Sequence, residues 1–155
     1  MPLDYGLSRG VTQSYESAVL KETRRINVYK PPSYDSAELG RYPTLYMLDG
    51  GVQEDFPHVV TDVDTAIRGA QMRPIFIVGI ENIERRRDTT GPTEVQTDRQ
   101  IAPRVGGAAA FRAFIAHELI PRVRRRYRVT EEKGIIGESL AGLFIVETFF
   151  MEPEL

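Results

Sequence analysis

Two short apolar runs constrain the fold of this chain more than any other feature: Thr44-Leu45-Tyr46-Met47-Leu48 and Ile75-Phe76-Ile77-Val78-Gly79-Ile80. Neither alternates with polar residues, so each reads as a strand covered on both faces, as in a parallel sheet. The β-branched content of the second run supports the same reading. The first run stops at Asp49-Gly50-Gly51, a tight loop. Between the runs Phe56, Val59, Val60, Val63, Ala66 and Ile67 recur at three- and four-residue spacing, the stripe of an amphipathic helix. Upstream, Ser17-Ala18-Val19-Leu20 and Arg25-Ile26-Asn27-Val28-Tyr29 alternate polar with apolar, which predicts two antiparallel strands ended by Pro31-Pro32.

Residues 81–104 are polar and read as a long loop, of the kind that carries function inside a compact domain. From Gly107 a helix is expected to about Arg128, with Phe111, Ile115, Leu119, Val123 and Tyr127 on one face and a kink at Pro121. Its basic end, Arg122 to Arg128, suits the negative pole of a helix dipole. A short strand at Gly134-Ile135-Ile136 and an apolar helix from Leu140 to about Met151 follow. After the opening antiparallel strands the order is therefore β-α-β-α-β-α. That alternation predicts one α/β domain over residues 1–155, a mostly parallel sheet with flanking helices.

With 41% apolar and 27% charged residues the composition is that of an ordinary globular protein. A net charge of −2 gives no reason to expect nucleic acid or a membrane surface as partner. The absence of cysteine excludes disulfides, thiolate metal sites and cysteine nucleophiles. No spacing suggests a metal site or a phosphate-binding loop, so no metal and no cofactor is expected. Met1-Pro2-Leu3-Asp4-Tyr5 does not lead into an apolar run like a signal peptide, and no stretch approaches the roughly 20 residues of a membrane span. A cytoplasmic location is the expectation.

Gly137-Glu138-Ser139-Leu140-Ala141-Gly142 lies between the last strand and the last helix. A nucleophile elbow needs this context: a strand, a strained turn that lifts the serine oxygen clear, then a helix. Small residues two before and two after the serine let strand and helix approach closely; the usual second glycine is Ala141 here. A Gly-x-Ser-x-(Gly/Ala) string arises by chance in about one chain in ten of this length, so its weight comes from its placement. The competing reading of Ser139 is a helix N-cap. The second oxyanion donor of such a site comes from the loop after an earlier central strand. Here that loop is Asp49-Gly50-Gly51-Val52, whose amide at Gly51 or Val52 would act with that of Leu140. Alone, it could equally be a plain strand-to-helix turn.

These stretches resemble the esterase family of α/β-hydrolases that includes esterase D, the enterochelin-type siderophore esterases and the mycolyltransferases. The resemblance rests on Tyr42-Pro43-Thr44-Leu45-Tyr46-Met47-Leu48-Asp49-Gly50 and Ile77-Val78-Gly79-Ile80-Glu81-Asn82. It continues through Arg85-Arg86-Arg87-Asp88-Thr89-Thr90, Gly106-Gly107-Ala108 and Glu118-Leu119-Ile120-Pro121, and ends on Gly137 to Phe144. It covers the chain from about Ser17 and is strongest to the siderophore-esterase branch. It implies the first half of an α/β-hydrolase fold, ending after the elbow helix, and hydrolysis of a small-molecule carboxylic ester through an acyl-serine.

The family places its acid and histidine after the serine, whereas no histidine occurs among the residues from Leu140 to Leu155. His58 and His117 both fall off the apolar faces of their helices, as surface residues do, so activity of this chain alone is expected to be impaired. Arg85, Arg86 and Arg87 have two readings: attraction of an anionic substrate, or a solvated run with one arginine pairing Asp88. An unpaired strand edge at Ile135 and Ile136 and an exposed last helix are also expected, which invites self-association. The alternatives to a hydrolase are a non-catalytic relative that binds a partner through that edge, and an acyltransferase sharing the acyl-serine step.

Overall fold

The computed structural model describes residues 10–102 and 104–155, so the reading of Met1 to Tyr5 lies outside it. Among the described residues five strands form one mixed sheet: β1 (Gly10–Ser17), β2 (Glu22–Tyr29), β3 (Tyr42–Met47), β4 (Phe76–Ile80) and β5 (Val129–Ile136), in the order β1-β2-β4-β3-β5. β1 and β2 form an antiparallel hairpin, β2 runs antiparallel to β4, and β3 is parallel to both β4 and β5. Ser17 to Leu20, expected as strand, forms the end of β1 and the hairpin turn instead, with Lys21 at φ 55°. That short alternating segment carried too little pattern to separate a strand from its turn.

Every residue of β4 is buried, because both its faces are covered. Its alternate side chains go to opposite sides. Ile75 and Ile77 join Tyr29, Met47, Phe56 and Val60 beneath α1 (Phe56–Arg68). Phe76, Val78 and Ile80 join Phe111, Phe114, Leu119 and Phe144 in the larger core on the other face.

The polar stretch after β4 is not a plain loop: it holds α2 (Arg85–Thr89) and α3 (Gln96–Ile101). Neither has an apolar stripe to betray it. α2 is instead held by ion pairs from Arg85, Arg87 and Asp88.

The helix expected from Gly107 is three segments run end to end: α4 (Ala108–Phe114), a π-helical turn (Ile115–Leu119) and α5 (Ile120–Arg126). The Ile120 amide bonds the Ile115 carbonyl, five residues back. The wide turn is placed just before Pro121, which has no N–H to give and whose ring clashes with the carbonyl four residues earlier in an α-helix. It also explains the stripe. Phe111, Ile115, Leu119, Val123 and Tyr127 are spaced by four throughout, more than the 3.6 of an α-helical turn. The wider turn absorbs the excess, and the first four stay buried on one face.

β5 begins five residues before the expected strand, because its first half carries charged side chains toward solvent. It ends the sheet among the described residues. α6 (Leu140–Met151) is apolar except for Glu147 and Thr148, yet fully buries only Ala141, Phe144 and Thr148. Leu143, Val146, Phe149, Phe150 and Met151 face outward, Phe150 at 77% exposure. Among the described residues no helix is long and apolar enough to cross a membrane.

Candidate active site

Ser139 joins β5 to α6 with φ 55° and ψ −117°, a sparsely populated conformation for any residue with a Cβ. Its hydroxyl makes no capping hydrogen bond to the helix, so the N-cap alternative does not describe this turn. The side chain is exposed. The small flanking residues have a direct cause: a Cβ on Gly137 would stand 2.8 Å from the Ala141 Cβ. The turn can be this tight only because neither position carries more.

The loop after β3 is clamped almost atom by atom. Asp49 has φ 52°. The Gly50 amide donates to the Ile80 carbonyl at 2.9 Å, and Asn27 Nδ2 donates to the Gly50 carbonyl at 2.8 Å. Glu54 accepts from the Gly51 amide at 2.8 Å and from the Asn82 amide at 3.1 Å. Gly51 and Val52, the two expected donors, therefore part company. The Gly51 N–H is already given to a carboxylate. Among the described residues no hydrogen bond engages the Val52 or Leu140 amide.

Gly50 is required here by contact rather than by φ. A Cβ on it would come 2.4 Å from Gly79 Cα and 2.5 Å from the Ile80 nitrogen, both backbone. Replacing Gly50 with alanine is expected to lower stability by at least 1–3 kcal/mol, the usual cost of overpacking. Urea unfolding checks this, and an unchanged midpoint contradicts it.

The three arginines have three different fates. Arg85 donates Nε to Asp49 Oδ1 at 2.7 Å and Nη2 to Asp49 Oδ2 at 3.0 Å, and also reaches the Glu138 carbonyl at 3.0 Å. Arg87 pairs with Glu22 and Asp88, as the solvated-run reading allowed for one arginine. Arg86 is exposed and lines a cleft of about 250 Å³ with Thr90, Thr93, Asp98, Ile101 and Leu140. The cleft thus opens beside the Ser139 turn. His58 and His117 are exposed and neither lines it.

Burial alone would raise the Asp49 carboxyl, but hydrogen bonds from Arg85 and Asn82 and the Arg85 charge outweigh it and hold the group below the usual carboxylate range. Glu22 is likewise depressed: burial is outweighed by Arg87 and Arg24. Carboxyls depressed in the fold contribute stability above their unfolded pKa of about 4, and lose it as pH falls through the lower folded value. The urea midpoint is therefore expected to fall between pH 5 and pH 3, and to fall less steeply in Asp49→Asn. A pH-independent midpoint contradicts this.

The sequence reading missed Asn27, Glu54 and Asn82, because a residue that orients a loop through hydrogen bonds leaves no periodic mark. The one available signal was Asp49 itself, since aspartate before a glycine pair is suited to positive φ.

Comparison with known proteins gives the family and the fold. The family model described as "Putative esterase" matches residues 17–155. Ferri-bacillibactin esterase BesA of Bacillus subtilis is 30% identical over 133 residues, covering 73% of this chain and 44% of BesA. An IroE-like serine hydrolase from Shewanella oneidensis superposes with a TM-score of 0.79 at 30% identity, over 90% of this chain and 46% of that one. The BES protein from Bacillus cereus superposes with a TM-score of 0.76 at 26% identity, over 94% of this chain and 57% of that one. The chain spans about half the length of these relatives, and its mixed sheet with flanking helices is the matching part of their α/β-hydrolase-like fold. With the family match running from Ser17 to the last residue, the chain belongs to the Putative esterase family.

Proposed function

We propose that Ser139 is the nucleophile of a carboxylic-ester hydrolase of the siderophore-esterase kind, acting through an acyl-serine. The observation that carries the proposal is the strained φ of Ser139 at a strand-to-helix turn, with no capping bond to account for it. Its hydroxyl oxygen attacks the ester carbonyl, the carbonyl oxygen becomes anionic, and the alcohol leaves as acyl-Ser139 forms. The Val52 and Leu140 amides, both unengaged, supply the donors for that oxyanion, and the N-terminus of α6 adds its positive dipole end. Gly51 takes no part in this reading. The small-molecule ester lies in the cleft beside Leu140, with Arg86 rather than Arg85 or Arg87 meeting an anionic group on it. The relatives support the substrate class: BesA is a ferri-bacillibactin esterase.

The serine proton needs an acceptor, and neither histidine is placed to be one. Acylation of this chain should therefore be slow and track the serine alkoxide. With p-nitrophenyl acetate, the burst rate is expected to rise about tenfold per pH unit between pH 7 and 9, where an imidazole base would level off. Ser139→Ala is expected to abolish the burst. A burst that survives in Ser139→Ala refutes the assignment.

A second reading is favoured by the outward apolar face of α6 and the open edge of β5: self-association through that surface. Phe150→Ser with Val146→Ser is expected to shift sedimentation toward the monomer. An unchanged concentration dependence contradicts it.

A further inference from the structure

We infer that Arg85 is a positioning residue, setting the oxyanion loop against the nucleophile turn, an inference that rests on the reading of Ser139 above. Its guanidinium grips both segments. Nε and one Nη2 hydrogen bind the Asp49 carboxylate as a fork, and the other Nη2 hydrogen binds the Glu138 carbonyl, one residue before Ser139. Those three N–H groups are spent on the protein, so that part of the side chain cannot also serve a substrate anion.

The two gripped segments share a property. Among the described residues only Lys21, Asp49, Ala70 and Ser139 are non-glycines at positive φ. Lys21 and Ala70 sit in turns of the chain. Asp49 and Ser139, the other two, flank the candidate site, and Arg85 touches the side chain of one and the residue preceding the other. Strained backbone persists only where its surroundings over-determine it. The fork and Asn82 Nδ2, which donates to Asp49 Oδ1 at 2.6 Å, supply that constraint at Asp49; the Glu138 bond supplies part of it at the elbow.

The consequence is geometric. Val52 lies three residues after Asp49 and Leu140 two after Glu138, so the two donor amides ride on the segments that Arg85 joins. A misplacement of about 1 Å in such a constellation is worth roughly a hundredfold in rate. Lysine cannot replace the fork, because an ammonium is a point charge that does not hold a carboxylate and a carbonyl in one fixed plane.

The test compares the full chain with Arg85→Met, Arg85→Lys and Asp49→Asn, using two readouts. The first is the ¹H–¹⁵N resonances of Val52, Ser139 and Leu140. The second is the rate at which a fluorophosphonate probe modifies Ser139. Arg85→Met and Arg85→Lys are both expected to displace the three amide resonances, leave those of the β1–β2 hairpin in place, and slow modification by about 10- to 100-fold. Asp49→Asn, which keeps the shape and loses the charge, does the same in smaller measure and serves as the folded variant should Arg85→Met not fold. Resonances of these amides that coincide with wild type, or full rescue by lysine, overturn the inference. If wild type is not modified at Ser139 the nucleophile reading falls, while the resonances still decide the role of Arg85.

Discussion

Arg24→Met is expected to cost the fold about 3–5 kcal/mol, the usual penalty for removing one member of a buried ion pair. Arg24 is fully buried on β2 and meets Asp88 at 2.7 Å, Glu22 at 2.9 Å and the Glu81 carbonyl at 3.0 Å. The Phe111 ring lies 5.2 Å from its guanidinium carbon. Two cations, Arg24 and Arg87, balance two carboxylates, Glu22 and Asp88, with Arg24 and Asp88 fully buried and the other two largely so. Methionine keeps the bulk and removes one cation, which leaves Asp88, 1% exposed, with Arg87 alone. The loss is electrostatic, not volumetric. The double variant Arg24→Met/Asp88→Leu should therefore recover part of the stability, because it removes the orphaned charge along with its partner. Urea unfolding of the two singles and the double reads this directly; a double that loses the sum of the singles contradicts it.

Phe144→Ala is expected to be as damaging, at about 3–5 kcal/mol for an emptied core position. α6 buries Ala141, Phe144 and Thr148, with Ile145 half-buried against the same core, and Phe144 is by far the largest of the fully buried three. Its ring lies 5.4 Å from that of Phe111, and the Arg112 guanidinium sits 5.1 Å above it while donating to Thr148 Oγ1 at 2.8 Å. Alanine leaves a cavity and removes the surface on which Arg112 rests. Because Ser139 is the residue before α6, loss of this anchor also releases the turn. Hydrogen exchange should show α6 amides opening well before those of β3 and β4 in the variant. Uniform protection across these elements contradicts the claim that Phe144 is the anchor.

The parts of the fold that could be read in the sequence are those with a hydrophobic period. β3, α1 and β4 were legible because burial on two faces, or on one stripe, forces a pattern that few other structures satisfy. α2 and α3 were not, since ion pairs hold the first, hydrogen bonds with Thr93 hold the second, and neither has an apolar stripe. The π turn was half legible: Pro121 announced a disturbance, and the four-residue spacing around it carried the form of that disturbance. At the site, the turn around Ser139 was legible through the small residues that tight packing demands. Which of the Gly51 and Val52 amides is already engaged was not, because that depends on Glu54 folding back onto one amide and not the other. Nor could spacing tell Arg85 from its neighbours. Adjacent residues on a short helix point in different directions, and one of the three meets Asp49, one meets Glu22, and one meets the cleft.

Locating a covalent adduct tests most directly whether Ser139 is held as a nucleophile. The folded chain is treated with a fluorophosphonate at pH 8.5 and digested, and the modified peptide is sequenced by mass spectrometry. A single adduct on Ser139 is expected, formed slowly and absent from Ser139→Ala. An adduct on another residue, or an unmodified Ser139 in a chain shown to be folded, contradicts it.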